Sequence, residues 1–122
     1  MDNFTAKVEI PYERIEDLII TGVEGGTNYW MTVEGPWLAG KDGWLKEQIE
    51  KGTLKLSNRH AEEDEDGEII EKVIDHAALQ KAIDLMAEKY QFHWGNFINE
   101  SEDAETGDVF IQLCVLGEIV YG

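Results

Sequence analysis

Apolar positions recur along the chain with two periods, one near two residues and one near three and a half. In "TAKVEI", residues 5 to 10, polar and apolar side chains alternate through Ala6, Val8 and Ile10, which predicts a half-buried strand. Pro11 ends it. Ile15, Leu18 and Ile19 then recur at helical spacing, so residues 11 to 21 read as an amphipathic helix with proline in its first turn. Gly22 or the Gly25-Gly26 pair supplies the stop, because glycine tolerates the positive φ that often closes a helix. "TNYWMTVE" is β-rich and reads as a strand, with Asn28, Trp30 and Thr32 on one face and Tyr29, Met31 and Val33 on the other.

Gly35, Pro36, Gly40 and Gly43 mark an irregular loop carrying Trp37 and Trp44, which either cap a core or form a sticky surface. Residues 43 to 51 predict a short helix with Asp42 as N-cap and Gly52 just past its end. "TLKLSN" and "GEIIEKVI" flank "RHAEEDED" as the strands of a hairpin with an acidic tip. Asp75 caps the helix "HAALQKAIDLMAEKY", whose apolar stripe is Leu79, Ile83, Met86 and Tyr90, and a shorter helix covers "FHWGNFIN". In the last helix, capped by Thr106, Val109 to Val120 leave almost no polar face, so it is either central in the core or turned toward another subunit. No repeat, linker or change of composition divides residues 1–122. The expectation is one α+β domain, a small antiparallel sheet packed against three to four helices.

Charge changes this picture most. The chain has 26 Asp and Glu against 10 Lys and Arg, a net charge of -16. Direct binding to nucleic acid or to an anionic membrane is disfavoured, since both need cations to displace counterions. The charge is also clustered: residues 60 to 75 carry a net -7, with Glu62, Glu63, Asp64, Glu65 and Asp66 consecutive, and residues 99 to 108 carry -5, including Glu100, Glu102, Asp103 and Glu105. Such clusters either provide ordinary solubility or imitate nucleic acid toward a protein that binds it. The start "MDNFTAKVEI" has neither segment of a signal peptide and no apolar run reaches membrane-spanning length, which predicts a cytoplasmic protein.

Catalytic patterns are sparse. His60, His76 and His93 lie far apart, no P-loop or G-x-S-x-G occurs, and the glycines of "GVEGGTNYW" follow a helix and precede a strand, the reverse of a dinucleotide fingerprint. "EEDEDGEII" starts like a calcium loop at Glu62, Asp64 and Asp66, but Val73 stands where the bidentate carboxylate is required. The lone Cys114 sits in apolar "FIQLCVLG" and reads as a buried thiol. A non-enzymatic protein without cofactor or metal is expected.

Two stretches, "ITGVEGGTNYW" and "AIDLMAEKYQFHWGNFINESEDAETGDVFIQLCVLGEIVYG", resemble a family of small, largely uncharacterised proteins of tailed bacteriophages. The likeness is carried by "EGGTNYW", "DAETGDVF" and "GEIVYG" and covers about half of the chain, with no reaction attached to it. It implies a phage protein in the cytoplasm of an infected bacterium, and with the charge it points to binding and inhibition of a basic or nucleic-acid-binding host protein, with self-association possible. The alternative expectation is a binder of a nucleotide-like or cationic small molecule, at a site built from Glu24, Asn28, Tyr29, Trp30, Asp108, Gln112 and Glu118. The plainer reading of the same residues is structural: Asn28 and Asp108 bond loop backbone while Tyr29, Trp30 and Phe110 fill the core.

Overall fold

Pro11, with extended backbone (φ -71°, ψ 156°), opens α1 (Tyr12–Gly25). The computed structural model describes residues 4, 8–62 and 67–122. Residues 5–7 of the expected first strand lie outside that range, and 8–10 join no strand. Along α1, Ile15, Leu18, Ile19 and Gly22 are buried on one face, as their spacing predicts.

Gly22 does not stop this helix. It lies within it, at the crossing with α6 (Ala104–Leu116), where a Cβ on Gly22 would stand 2.8 Å from the carbonyl of Gly107 and one on Gly107 would stand 2.5 Å from Gly22 N and Cα. The two helices are in direct backbone contact there. Helix α1 ends instead at Gly26, whose N–H bonds to the carbonyl of Gly22.

The strand expected over "TNYWMTVE" shrinks to β1 (Thr32–Val33). Residues 27 to 31 turn, with the N–H groups of Trp30 and Met31 both donating to Thr27 O at 3.0 and 2.9 Å. Satisfying these amides locally leaves them unavailable to a ladder. The loop that follows is ordered by Gln48 of α2 (Trp44–Lys51): fully buried, it donates to Pro36 O (2.9 Å) and accepts from Leu38 N (3.2 Å). Trp44 is buried, Trp37 is half-buried, and their rings meet edge-on at 5.1 Å, so these tryptophans cap the core and make no sticky surface. The cap of α2 is Gly43, at φ 71°, and not Asp42; Gly52 closes the helix at φ 67° as expected.

β2 (Lys55–Ser57) is the central strand of a three-stranded antiparallel sheet, with Leu56 opposite Val33 on one side and Lys72 of β3 (Glu71–Val73) on the other. The hairpin is there, but its connection begins with a helical turn, α3 (Arg59–Glu62). Asn58 holds that connection by accepting from Ile70 N (2.7 Å) and donating to Glu68 O (3.1 Å).

Asp75 caps α4 (His76–Lys89) by accepting from Ala78 N at 2.8 Å, and α5 (Gln91–Ile98) follows after Tyr90. The cap of α6 is Asp103, which accepts from Thr106 N at 2.9 Å. Thr106 itself is buried one turn inside, its hydroxyl 3.1 Å from His93 Nδ1. All residues of α6 from Thr106 to Val115 are buried, between α1, α4 and α5. The apolar last helix is thus the centre of the core, which resolves the choice left by its sequence. Each large side chain it buries contributes about 1.5–3 kcal/mol.

Among the described residues the chain forms six helices and this sheet, the expected α+β architecture, with the buried side chains joined in one cluster. None of these helices is long and apolar enough to cross a membrane.

Candidate functional site

Asp108 lies in the second turn of α6, facing the chain that leaves α1. Its Oδ1 accepts from Trp30 Nε1 (2.7 Å) and Gln112 Nε2 (3.1 Å), and its Oδ2 from the hydroxyl of Tyr29 (2.6 Å). Gln112, one turn later, accepts from Val120 N and Tyr121 N (2.8 and 2.9 Å) and donates to Tyr121 O (3.0 Å), which holds the chain after α6 against the helix. Tyr121 stacks on Trp30 (centroids 5.3 Å apart, planes at 26°) and receives a bond from Asn58 at its hydroxyl. One network therefore joins the turn after α1, the start of the hairpin connection, the helix α6 and the residues beyond it.

This brings together four of the seven residues of the expected ligand site: Tyr29, Trp30, Asp108 and Gln112. Glu24 and Asn28 are exposed and line no part of the cleft beside Asp108; neither does Glu118, exposed just beyond α6. Trp30 and Gln112 are fully buried and Phe110 is a core residue, which agrees with the structural reading. Three details differ from it. Tyr29 is 46 % exposed and so does not fill the core. Asn28 bonds no loop backbone, and Asp108 is satisfied by side chains, because it sits within reach of an indole and a phenol. The Tyr29 hydroxyl is held protonated well above its usual range, first by burial and then by the Asp108 carboxylate beside it.

Outside the network a cleft of about 570 Å³ opens between the end of α1, the Tyr90 and His93 region and the start of α6. Tyr29, Tyr90, His93, Glu105, Asp108 and Tyr121 give it its chemical character, and among the described residues no Lys or Arg lines it. Asp108 is 8 % exposed, its Oδ2 accepts a single hydrogen bond, and no cation pairs with it among the described residues. Tyr90, which its spacing assigned to the apolar stripe of α4, and Tyr121, read only as part of a terminal motif, are the residues that sequence reasoning missed. Their only signal was aromatic character within the second motif stretch.

The acidic segments fare differently. Glu62 closes α3, while Glu63, Asp64, Glu65 and Asp66 lie outside the described residues. In the second segment Glu102 pairs with Arg14 at 2.7 Å, and Arg14 also donates to Phe97 O and lies over the Phe97 ring at 4.6 Å. Asp103 is spent on the α6 cap, a role that holds its carboxyl below the usual range through the Thr106 N–H. Glu100, in left-handed backbone at φ 57°, and Glu105 remain exposed.

A third acidic feature escaped the count of runs. Glu13, Asp17 and Glu24 share one outer face of α1, spaced by four and seven residues, all exposed and none ion-paired among the described residues, although Lys41 and Lys46 line the same surface hollow as Glu13 and Asp17. The exposed Glu105 stands separately, at the mouth of the cleft. Among the described residues no group of three or more His, Cys, Asp or Glu side chains comes together in a way that could hold a metal ion.

No family model, curated protein or solved structure matches this chain.

Proposed function

We propose that this protein is a non-enzymatic binder of a basic protein surface, and that, in line with its resemblance to small phage proteins, it acts in the cytoplasm of an infected bacterium by occupying a host defence or DNA-processing protein. The observation that carries this reading is the acidic ridge of Glu13, Asp17 and Glu24, to which no basic side chain is ion-paired among the described residues. Like charges gathered on one face repel one another, and a partner rich in Lys and Arg relieves that repulsion while being drawn in from solution. Glu24 adds to the effect, because it stands in the last turn of α1, at the negative end of the helix dipole, where no basic residue compensates it.

Capture of partners from host cells by three forms of the protein tests this. The first is the unaltered chain, the second carries Glu13→Gln, Asp17→Asn and Glu24→Gln, and the third neutralises Glu62, Glu63, Asp64, Glu65 and Asp66. A basic partner retained by the unaltered chain, released by raised salt and lost from the second or third form is the expected result. Capture that is indifferent to both salt and substitution would refute an electrostatic contact.

The cleft beside Asp108 favours a second reading, a small-molecule binder. Its lining of tyrosines and carboxylates without a Lys or Arg suits a cation and disfavours the phosphates of a nucleotide signal.

A further inference from the structure

The cleft opens beside the exposed Glu105. Inside, a carboxylate that is more than nine-tenths buried has three hydrogen-bond donors but, among the described residues, no counter-cation, and one of its oxygens carries a single bond. Buried charges are ordinarily paired, and a carboxylate oxygen has room for a second donor. The end of α1 at Gly25 and Gly26 turns its negative pole to the same space. At the start of α6 the Thr106 N–H is taken by Asp103 Oδ1 and the Gly107 N–H by Asp103 O. Tyr29, Tyr90 and Tyr121 supply aromatic surface next to these acceptors.

From this combination we infer that the cleft is the socket for an arginine side chain presented by the basic partner proposed above, on which reading the inference rests. A guanidinium is planar, stacks on aromatic rings, offers several N–H donors in one plane and is less costly to desolvate than an ammonium. Its charge completes the pairing of Asp108, and Glu105 at the rim provides a second acceptor. Charge complementarity selects this occupant over an anionic or an apolar one.

The test uses the full chain, labelled with nitrogen-15, and three probes: N-acetyl-arginine methylamide, its neutral isostere N-acetyl-citrulline methylamide, and AMP. The arginine probe is expected to shift the Trp30 indole N–H resonance and its neighbours in a saturable way, with citrulline and AMP far weaker. Glu105→Gln, at an exposed position that leaves the fold intact, is expected to weaken the arginine probe about fivefold, the size of one exposed ion pair. Asp108 is left unaltered, since it also holds the fold. Equal shifts from arginine and citrulline, a response to AMP alone, or no saturable shift at the cleft would each overturn the inference.

The two readings fail separately. A silent cleft beside a partner capture that depends on Glu13, Asp17 and Glu24 removes the socket and keeps the acidic binder. A cleft saturated by arginine beside a capture indifferent to charge removes the acidic binder.

Discussion

The indole N–H of Trp30 donates to Asp108 Oδ1 at 2.7 Å, joining two positions 78 residues apart in the chain. Trp30 is fully buried, so its indole N–H has no water to fall back on. Asp108→Ala is expected to cost about 1–3 kcal/mol in urea unfolding, because it strands the indole N–H. Tyr29 is half-exposed and can turn its hydroxyl to solvent, so Tyr29→Phe should cost less. Equal losses for the two substitutions would show that the network is not centred on the indole.

Gly107 and Gly22 allow the backbones of α1 and α6 to touch. Gly107→Ala places a methyl group 2.5 Å from backbone atoms of Gly22, which no side-chain rotation relieves. A loss of about 1–3 kcal/mol or more is expected from the forced separation. Gly95, inside α5 with open space where its Cβ would point, is the control: Gly95→Ala should raise stability by about 0.4–1 kcal/mol. Thermal unfolding of both variants beside the unaltered chain measures the contrast, and a harmless Gly107→Ala would contradict the close crossing.

Asp103 binds its proton less readily in the folded chain than in the unfolded one. Its contribution is therefore present above the ordinary aspartate value of 3.8 and is lost as pH falls through the lower folded value. Asp103→Ala should remove about 1 kcal/mol at neutral pH and little in strong acid, where the cap is already protonated. Denaturant unfolding at the two pH values would expose a cap that does not titrate in this way.

Tyr29 behaves in the opposite sense, since the folded chain holds its proton more tightly than the unfolded chain does. Its contribution is whole below the ordinary tyrosine value of 10.0 and declines as pH rises above it, because only the unfolded chain then releases the proton. Alkaline unfolding should accordingly be shallower in Tyr29→Phe than in the unaltered chain. Identical alkaline profiles would contradict the hydroxyl's bond to Asp108.

Cys114 shows how far local pattern reaches. Its apolar neighbours alone placed it inside, and in the fold burial raises its thiol far above the usual range. The stripe of α1, the Asp75 cap and the Gly52 stop were equally legible, since each depends on spacing of a few residues or on one side chain bonding its own helix. The caps of α2 and α6 were misread by one residue and by three, at Gly43 and Asp103, where neighbouring residues offer competing caps and only backbone geometry chooses between them.

What the sequence determined by itself is the α+β class, the buried character of the last helix and the excess of negative charge, all of them sums or short periods that hold in any arrangement of the elements. What tertiary structure alone decided is which residues meet. Gly22 became a crossing point and not a stop because α6 lies against it, and "TNYW" became a turn because Trp30 bonds Asp108 across the core. Glu102 was withdrawn from the acidic surface by Arg14, while Glu13, Asp17 and Glu24 were aligned on it. The reason is physical: long-range contacts depend on how helices cross, and a crossing is selected by packing of the whole core, which no window of neighbouring residues contains.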